Sequence, residues 1–135
     1  MQDLHGSVKY VKAIAPVVVT DNTAQVSSII DLQGTRGCEF IITTGTLADA
    51  DATFAVTLDE GDNSSLTDAA AVAAGDLLGS YAGASFTFAD DNTTKKLGYA
   101  GTKRYVRLTI TPSANTGNAP LSAVAALWAM KAPQS

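Results

Sequence analysis

Alternating apolar and polar residues are the main pattern of this chain, and they predict β-strands. The alternation is strict in residues 52–60 and 104–111 and looser in residues 38–44 and 84–88. A half-buried antiparallel strand needs this period of two, because successive side chains leave the pleat on opposite faces. We therefore expect the apolar members of these runs to be buried, namely Phe54, Val56, Leu58, Phe86, Phe88, Val106, Leu108 and Ile110.

Four further segments predict strands with weaker alternation. Residues 13–20 contain Pro16, which cannot donate a backbone hydrogen bond, so we expect an edge strand there. Residues 25–32 and 95–100 are shorter. Residues 120–130 are apolar on both faces and fit either a helix or a strand. We favour a strand covered on both sides, because a turn-like stretch precedes it.

The alanine-rich residues 65–79 predict one short helix or helical turn, with Asp68 as its N-cap and an end near Gly75 or Gly79. Turn-forming residues separate the other segments at short intervals. About seven to nine short strands with at most one short helix predict an all-β fold, either an antiparallel β-sandwich or a jelly roll.

The length of 135 residues fits a single domain over residues 1–135. Within it we expect an extended N-terminal arm over residues 1–12 and the β-sandwich over residues 13–130. The first residues lack the apolar segment of a signal peptide, and no run approaches the ~18 apolar residues of a membrane span. We therefore expect a soluble protein that is made in a cytoplasm and does not contact a membrane.

The charge content points towards protein partners. Charged residues make up 16% of the chain, whereas globular domains usually have about 25%. A surface with so few charges predicts that partners cover part of it. The net charge of −4 argues against a dedicated nucleic-acid binder, which is normally basic.

Residues suited to catalysis are scarce. His5 is the only histidine and Cys38 the only cysteine, and Cys38 begins an apolar strand, which predicts a buried structural thiol. No nucleophile and base can be paired from this set, so we expect no enzymatic activity and no cofactor. The acidic residues of 49–51, 59–63 and 90–92 fit turns better than a metal site, because Asp and Asn favour turns for backbone reasons. Metal binding by these turns stays open.

Residues 95–111 interleave basic and aromatic side chains and hold five of the nine basic residues. An RNA-recognition strand has a similar composition, but here the aromatics fall in two segments, and the two long helices of that module are missing. Arg and Tyr are enriched in protein interfaces. We therefore expect a protein contact surface rather than a nucleic-acid site, formed by Lys103, Arg104, Tyr105 and Arg107. Pairing of these side chains with the acidic turns is the competing interpretation.

Several stretches, among them VVVTDNTAQVSSIIDLQG, TGTLADADATFAVTLDEGD and LGYAGTKRYVRLTITPSANTGNAP, resemble a family of small tailed-bacteriophage proteins. The resemblance covers about residues 13–127. Its core is a Gly-Tyr-x-Gly-x-Lys-Arg-Tyr-Val-Arg pattern, matched by Gly98, Tyr99, Gly101, Lys103, Arg104, Tyr105, Val106 and Arg107. The resemblance implies a virion structural protein, with a capsid decoration (cement) protein as the first choice, and it brings no catalytic residues.

Such decoration proteins are typically small β-rich domains, often trimeric, on the outer shell of the capsid. The resemblance thus implies the major capsid protein and other copies of the chain as partners, a trimer as the favoured oligomer, and the capsid surface as the location. The alternatives are another virion component, such as a head fibre base, neck or tail protein, and a ligand-binding β-sandwich such as a carbohydrate-binding module. Trp128 is the only tryptophan, and we expect it in the core or a subunit interface.

Overall fold

A computed structural model describes residues 4–129 of the chain, and these residues form two packed antiparallel β-sheets, as the alternation predicted. The count of strands is higher than expected, because five of them have only two residues. In chain order the strands are β1 (Val8–Val19), β2 (Gln25–Val26), β3 (Ile30–Asp31), β4 (Thr35–Thr44), β5 (Thr53–Gly61), β6 (Ala70–Ala71), β7 (Leu77–Leu78), β8 (Phe86–Thr87), β9 (Thr94–Tyr99), β10 (Tyr105–Ser113) and β11 (Ala119–Ala129).

The first sheet has the strand order β1-β11-β4-β9-β7 and is called the β11 sheet here. The second has the order β2-β10-β5-β6, with β3 also pairing with β10 and β8 with β5, and is called the β10 sheet. Because the chain moves between the two sheets several times, most of its contacts join residues that are distant in sequence. The two inner faces form one core, which includes Cys38, Phe40 and Ile42 from β4.

The strand faces agree with the prediction at seven of the eight core positions. Phe54, Val56, Leu58, Phe86, Val106, Leu108 and Ile110 are all buried. Phe54 and Phe86 stack with their ring centroids 4.8 Å apart. The prediction was wrong for Phe88, which is 45% exposed. The chain leaves β8 after Thr87 and forms a 3-10 turn over Phe88–Asp90, so the alternation ends one residue before Phe88.

β1 is an edge strand, as Pro16 predicted, and it pairs only with β11 within its sheet. Its register shifts between Lys12 and Ile14 and again between Ile14 and Val17, so Pro16 lies where the ladder is already interrupted. Residues 8–12 belong to this strand and do not form an extended arm. The sandwich therefore begins earlier than residue 13, because Val8 already pairs with Trp128. A four-residue helix α1 (Leu4–Ser7) precedes it.

The predicted helix over residues 65–79 is wrong in most of its length. The segment forms β6, a 3-10 turn (Ala74–Asp76) and β7. Asp68 does not cap a helix, because its carboxylate accepts hydrogen bonds from the backbone N–H groups of Asp62 (2.9 Å) and Asn63 (3.3 Å). Helix α2 (Tyr81–Ala84) comes later and has four residues, with Ser80 as its N-cap.

Residues 119–129 form the strand β11, which confirms the preference for a strand over a helix. β11 lies between β1 and β4, so both of its edges are paired. Met130, the last residue of the predicted strand, lies outside the described residues. No helix within residues 4–129 is long and apolar enough to cross a membrane.

Candidate protein-contact surfaces

The loop between β9 and β10 is built around the side chain of Tyr99. Tyr99 is 1% exposed, and its hydroxyl donates a hydrogen bond of 2.7 Å to Glu60 Oε1 on the opposite sheet. The same hydroxyl accepts one from the backbone N–H of Lys103 at 2.9 Å. Gly101 lies so close to the Tyr99 ring that a Cβ atom there would clash with it. The tyrosine therefore fixes the path of the loop that carries the basic residues.

Lys103 and Arg104 project from this loop and pair with acidic residues of neighbouring turns. Lys103 Nζ lies 3.2 Å from Asp62 Oδ2. Arg104 holds Asp31 with two parallel bonds, Nε to Oδ1 at 2.9 Å and a terminal nitrogen to Oδ2 at 3.0 Å. A further bond of 2.7 Å joins Arg104 to Gln33 Oε1. These contacts hold the loop against the turns that flank β3 and β5.

Tyr105 and Arg107 lie on the outer face of the β10 sheet. Tyr105 is half-buried, and the Arg104 guanidinium lies 5.0 Å from the centre of its ring. Arg107 pairs in register with Asp59 of β5, and their nearest charged atoms are 4.0 Å apart. Within residues 4–129, Arg107 Nε is buried without a hydrogen-bond partner. Arg107 is thus less completely satisfied than Arg104.

The four residues predicted as a contact surface therefore lie together, at one end of the β10 sheet. We call Lys103, Arg104, Tyr105 and Arg107 the basic cluster. Its three cations each have an internal acidic partner, as the competing interpretation expected. The hydrogen bond from Arg104 lowers the pKa of Asp31 below its usual value. The cluster stabilises the turns around it, and its use as a contact surface stays a prediction.

Residues with catalytic potential lie apart from this cluster. Cys38 is buried in the core, as expected, and burial together with the Glu39 charge raises the pKa of its thiol to about 12. His5 is exposed in α1. Among the acidic turns, Asp49 accepts hydrogen bonds from the N–H and hydroxyl groups of Thr116, and Asp90 from the N–H of Thr87. Within residues 4–129, no group of three or more His, Cys, Asp or Glu side chains is placed to hold a metal ion.

A second surface was not singled out by the sequence, namely the outer face of the β11 sheet, which we call the β11 face. One row runs directly across all five strands and consists of Tyr10, Ala126, Glu39, Gly98 and Leu78. The next row, one pleat further along, consists of Lys12, Val124, Ile41 and Lys96. Four of the six exposed large apolar side chains in the described chain belong to this face: Tyr10 (53%), Val18 (53%), Leu78 (45%) and Val124 (37%).

Trp128 also lies on the β11 face, where it is half-buried, so of the two expected positions the core does not apply and a subunit interface stays a prediction. Its ring crosses over Gly37, the residue opposite it on β4, and a Cβ atom at Gly37 would collide with that ring. The signal for this surface was present in the sequence. Residues 120–130 are apolar on both faces, and one of those faces turns out to be open to water.

Comparison with known proteins identifies the fold but no family. No family model matches the chain, and no curated protein matches it in sequence. The PBSX exported protein XepA is similar in structure, with a TM-score of 0.56, 13% identity, and coverage of 100% of this chain and 41% of that protein. The infectious bursal disease virus Gx strain structure matches with a TM-score of 0.50, 12% identity, and coverage of 89% and 31%.

A third similar structure holds the CBM22-1 and GH10 modules of xylanase Xyn10B from Clostridium thermocellum in complex with xylohexaose. Its TM-score is 0.53 with 11% identity, and the match covers 97% of this chain and 28% of that one. The present chain spans less than half of the length of each of these three proteins. These matches, together with the two packed antiparallel sheets, show that the chain is a β-sandwich of the kind found in carbohydrate-binding modules and jelly rolls.

Proposed function

We propose that the protein is a structural component of a bacteriophage particle, and first of all a capsid decoration protein without catalytic activity. The observation that carries this proposal is the β11 face. Monomeric proteins rarely leave contiguous apolar patches of more than a few hundred Å² in water, and larger patches mark interaction sites. Four of the six large apolar side chains that are exposed in the described chain lie on this face, so neighbouring proteins that cover it would remove them from water.

Two further observations support a role in a virion. XepA is phage-derived, and the infectious bursal disease virus structure comes from a virus. Similar sandwiches thus occur in a phage-derived protein and in a viral protein. The sequence also resembles small tailed-phage proteins over most of its length. The low charge content agrees with a protein whose surface is partly covered.

In this role the protein binds the assembled shell on its outer surface and bridges neighbouring copies of the major capsid protein. A protein that binds the assembled state and not the free subunits stabilises that state by mass action. The basic cluster supplies the proposed contact with the shell, because Arg104 is exposed and Tyr105 is partly exposed at one end of the β10 sheet. An Arg guanidinium recognises carboxylates, and a Tyr ring adds contact area with little loss of entropy.

Purified particles test the proposed function. We expect the protein in virions in a copy number that follows the symmetry of the shell, measured by quantitative mass spectrometry. We also expect the isolated protein to bind expanded shells that lack it and to raise their melting temperature. Presence in a few copies per particle would indicate a neck, tail or fibre-base component instead, and absence from particles would contradict a virion role.

Substitutions in the basic cluster test the proposed contact. We expect Tyr105→Ala and Arg107→Ala to weaken shell binding while the protein stays folded, whereas Thr53→Ala, also exposed on the β10 sheet, leaves binding unchanged. Loss of stability alone would assign the cluster to internal pairing. Tight binding of single-stranded RNA by the parent protein at physiological salt, weakened by both substitutions, would contradict a protein contact.

A carbohydrate-binding module is the second candidate function. One observation favours it: Tyr10 and Trp128 occupy neighbouring rows on adjacent strands of the β11 face, and aromatic rings on one face can stack on sugars. The Xyn10B structure contains xylohexaose, which makes xylan fragments a suitable probe. Saturable binding to a glycan array that is lost in Tyr10→Ala would favour this function over a role in capsid assembly.

A further inference from the structure

The charges on the β11 face are arranged so that they complement a second copy of the same face. Glu39 on β4 and Lys96 on β9 lie on adjacent strands, one row apart. Neither makes an ion pair within the described chain, and diagonal neighbours of this kind are about 7–8 Å apart. Two copies can stack face to face around a two-fold axis that lies between the two sheets and passes midway between Glu39 and Lys96. Each Glu39 then faces the Lys96 of the other copy. Two reciprocal ion pairs then form at once.

The size of the face also suits a contact between two copies. The three long strands β1, β11 and β4 have 12, 11 and 10 residues. With a rise of about 3.3 Å per residue and a strand spacing of about 4.8 Å, they and part of β9 cover roughly 500–600 Å² before the relief of the side chains is counted. A stable interface of standard size needs about 800 Å² from each partner. The face therefore approaches that size without any other element.

The β11 face combines apolar side chains with a small number of charges that lie among them. Val124 and Ile41 lie side by side in one row, with Tyr10 in the next row and Trp128 in the row after that. The charges described on these two rows are Lys12 on the edge strand β1, Lys96 on β9, and Glu39 on β4, which is the middle strand of the sheet. A charge inside a contact needs a partner across it, and the reciprocal pairing of Glu39 with Lys96 supplies one. Stacked sheets pack about 10 Å apart, which such side chains can fill.

We propose that two copies of this chain associate through their β11 faces, with Glu39 of each copy paired to Lys96 of the other. The inference deepens the proposed function, of which self-association is a part, and it specifies the contact as two-fold. It departs from the trimer that the sequence resemblance favours. The outer face of the β10 sheet, with the basic cluster, stays free in both copies.

Sedimentation velocity over a wide range of protein concentrations tests this contact. We expect a monomer–dimer equilibrium for the parent protein. Val124→Lys adds a cation directly opposite Lys12 and one row from Glu39. We expect it to raise the dissociation constant at least about 100-fold, because the ammonium group loses its water at the contact and competes with Lys96 for Glu39. Thr57→Lys adds the same charge at an exposed position of the β10 sheet, and we expect it to leave the dimer intact.

A charge exchange tests the reciprocal ion pairs without altering the apolar centre. We expect Glu39→Lys and Lys96→Glu each to raise the dissociation constant about tenfold, and the double exchange to restore it to within about threefold, since two pairs are affected in each case. Circular dichroism confirms that each variant is folded. A parent protein that is monomeric or trimeric at every concentration contradicts the proposal, as does a dimer that survives Val124→Lys or a double exchange that restores nothing.

The proposed function fails separately from this inference. A dimer that does not bind shells and is absent from particles would contradict the virion role and leave the two-fold contact standing. A monomer that binds shells would contradict the two-fold contact and leave the virion role standing.

Discussion

The outer faces of the two sheets differ in whether their side chains already have partners within the chain. On the β10 sheet, Thr57 lies opposite Thr109, Ala55 opposite Thr111, and Asp59 opposite Arg107, so most of the outer face carries small or polar side chains. Val26, which pairs with Thr109, is the exposed large apolar residue on it. On the β11 sheet, the corresponding positions carry exposed apolar side chains and charges without ion-pair partners in the described chain. Most side chains on the outer face of the β10 sheet thus have partners within the chain, whereas the β11 face is suited to a partner protein.

This difference changes which surface is the better candidate for contact. The basic cluster attracts attention in the sequence because its residue types are common in interfaces, yet its cations already have partners. The β11 face carries no motif, but the hydrophobic effect favours covering it. Residue type alone is thus a weaker guide to an interface than whether a side chain is already satisfied.

The largest effect is expected where the two sheets meet. Phe54→Ala and Leu108→Ala remove side chains that are 1% and 0% exposed, and each should lower the free energy of unfolding by about 2–5 kcal/mol. Urea denaturation followed by circular dichroism measures this. Thr109→Ala on the outer side of β10 is the control and should change it by less than about 0.5 kcal/mol. An unchanged midpoint for both core variants would mean that the inner and outer faces are interchanged.

The hydrogen bonds of Tyr99 come next, because they join the two sheets at the end that carries the basic cluster. Tyr99→Phe removes the hydroxyl that Glu60 and the Lys103 N–H share. Leaving those groups without their partner should lower the free energy of unfolding by about 1–3 kcal/mol. Tyr10→Phe alters an exposed hydroxyl and is the matched control. Equal midpoints for the two variants would show that the cross-sheet bond contributes nothing.

Sequence patterns predicted the fold best where one side of a strand is polar. In β5 and β10 the alternation identified both the strands and their buried faces. The alternation failed at Phe88, where a 3-10 turn interrupts the period. At residues 65–79 a different signal failed, because the alanine content there suggested a helix. Those residues instead pair with β5 and β9. Helix propensity is a weak prior that such long-range pairing overrides.

The sequence predicted the basic cluster but not the β11 face, and the reason is again long-range pairing. Residues 103–107 are adjacent in sequence, so their grouping could be predicted. Their partners Asp31, Asp59 and Asp62 are distant in sequence and lie in β3, in β5 and directly after β5. The β11 face joins side chains from residue 8 to residue 128, and only the strand order brings them together. No local pattern contains that order, because it depends on pairing across the whole chain.

The pairing of Arg104 with Asp31 should have a smaller effect than Tyr99→Phe, because both side chains are exposed to solvent and salt. The pKa of Asp31 is lowered in the folded state, so the stabilisation is present at neutral pH and is lost as the pH falls below the usual Asp value of 3.8. The difference in unfolding free energy between the parent and Arg104→Ala should therefore shrink towards zero in acid.

Denaturation at pH 7 and at several values below 4 measures this difference. Arg36→Ala is the control, because Arg36 is exposed and makes no ion pair within the described residues. A difference for Arg104→Ala that persists unchanged in acid would show that Arg104 stabilises the loop through its hydrogen bond to Gln33 or its contact with the Tyr105 ring, and not through the Asp31 carboxylate.

The smallest effect on stability is expected on the β11 face, and this tests the comparison most directly. Val124→Thr keeps the shape of a β-branched side chain at an exposed position, so the free energy of unfolding of the monomer should change by less than about 0.5 kcal/mol. Val106→Thr makes the same change at a fully buried position of β10, where the hydroxyl lacks water, and should lower it by about 1–3 kcal/mol.

Both valine variants are measured at a dilution where the parent is monomeric, so that association does not add to stability. A loss in Val124→Thr as large as that in Val106→Thr would mean that this side of β11 belongs to the core of the monomer. A small loss of unfolding free energy in Val124→Thr, combined with weaker association at high concentration, would show that the two sides of β11 have different roles. Its inner side chains then hold the sandwich together, and its outer ones serve contacts between proteins.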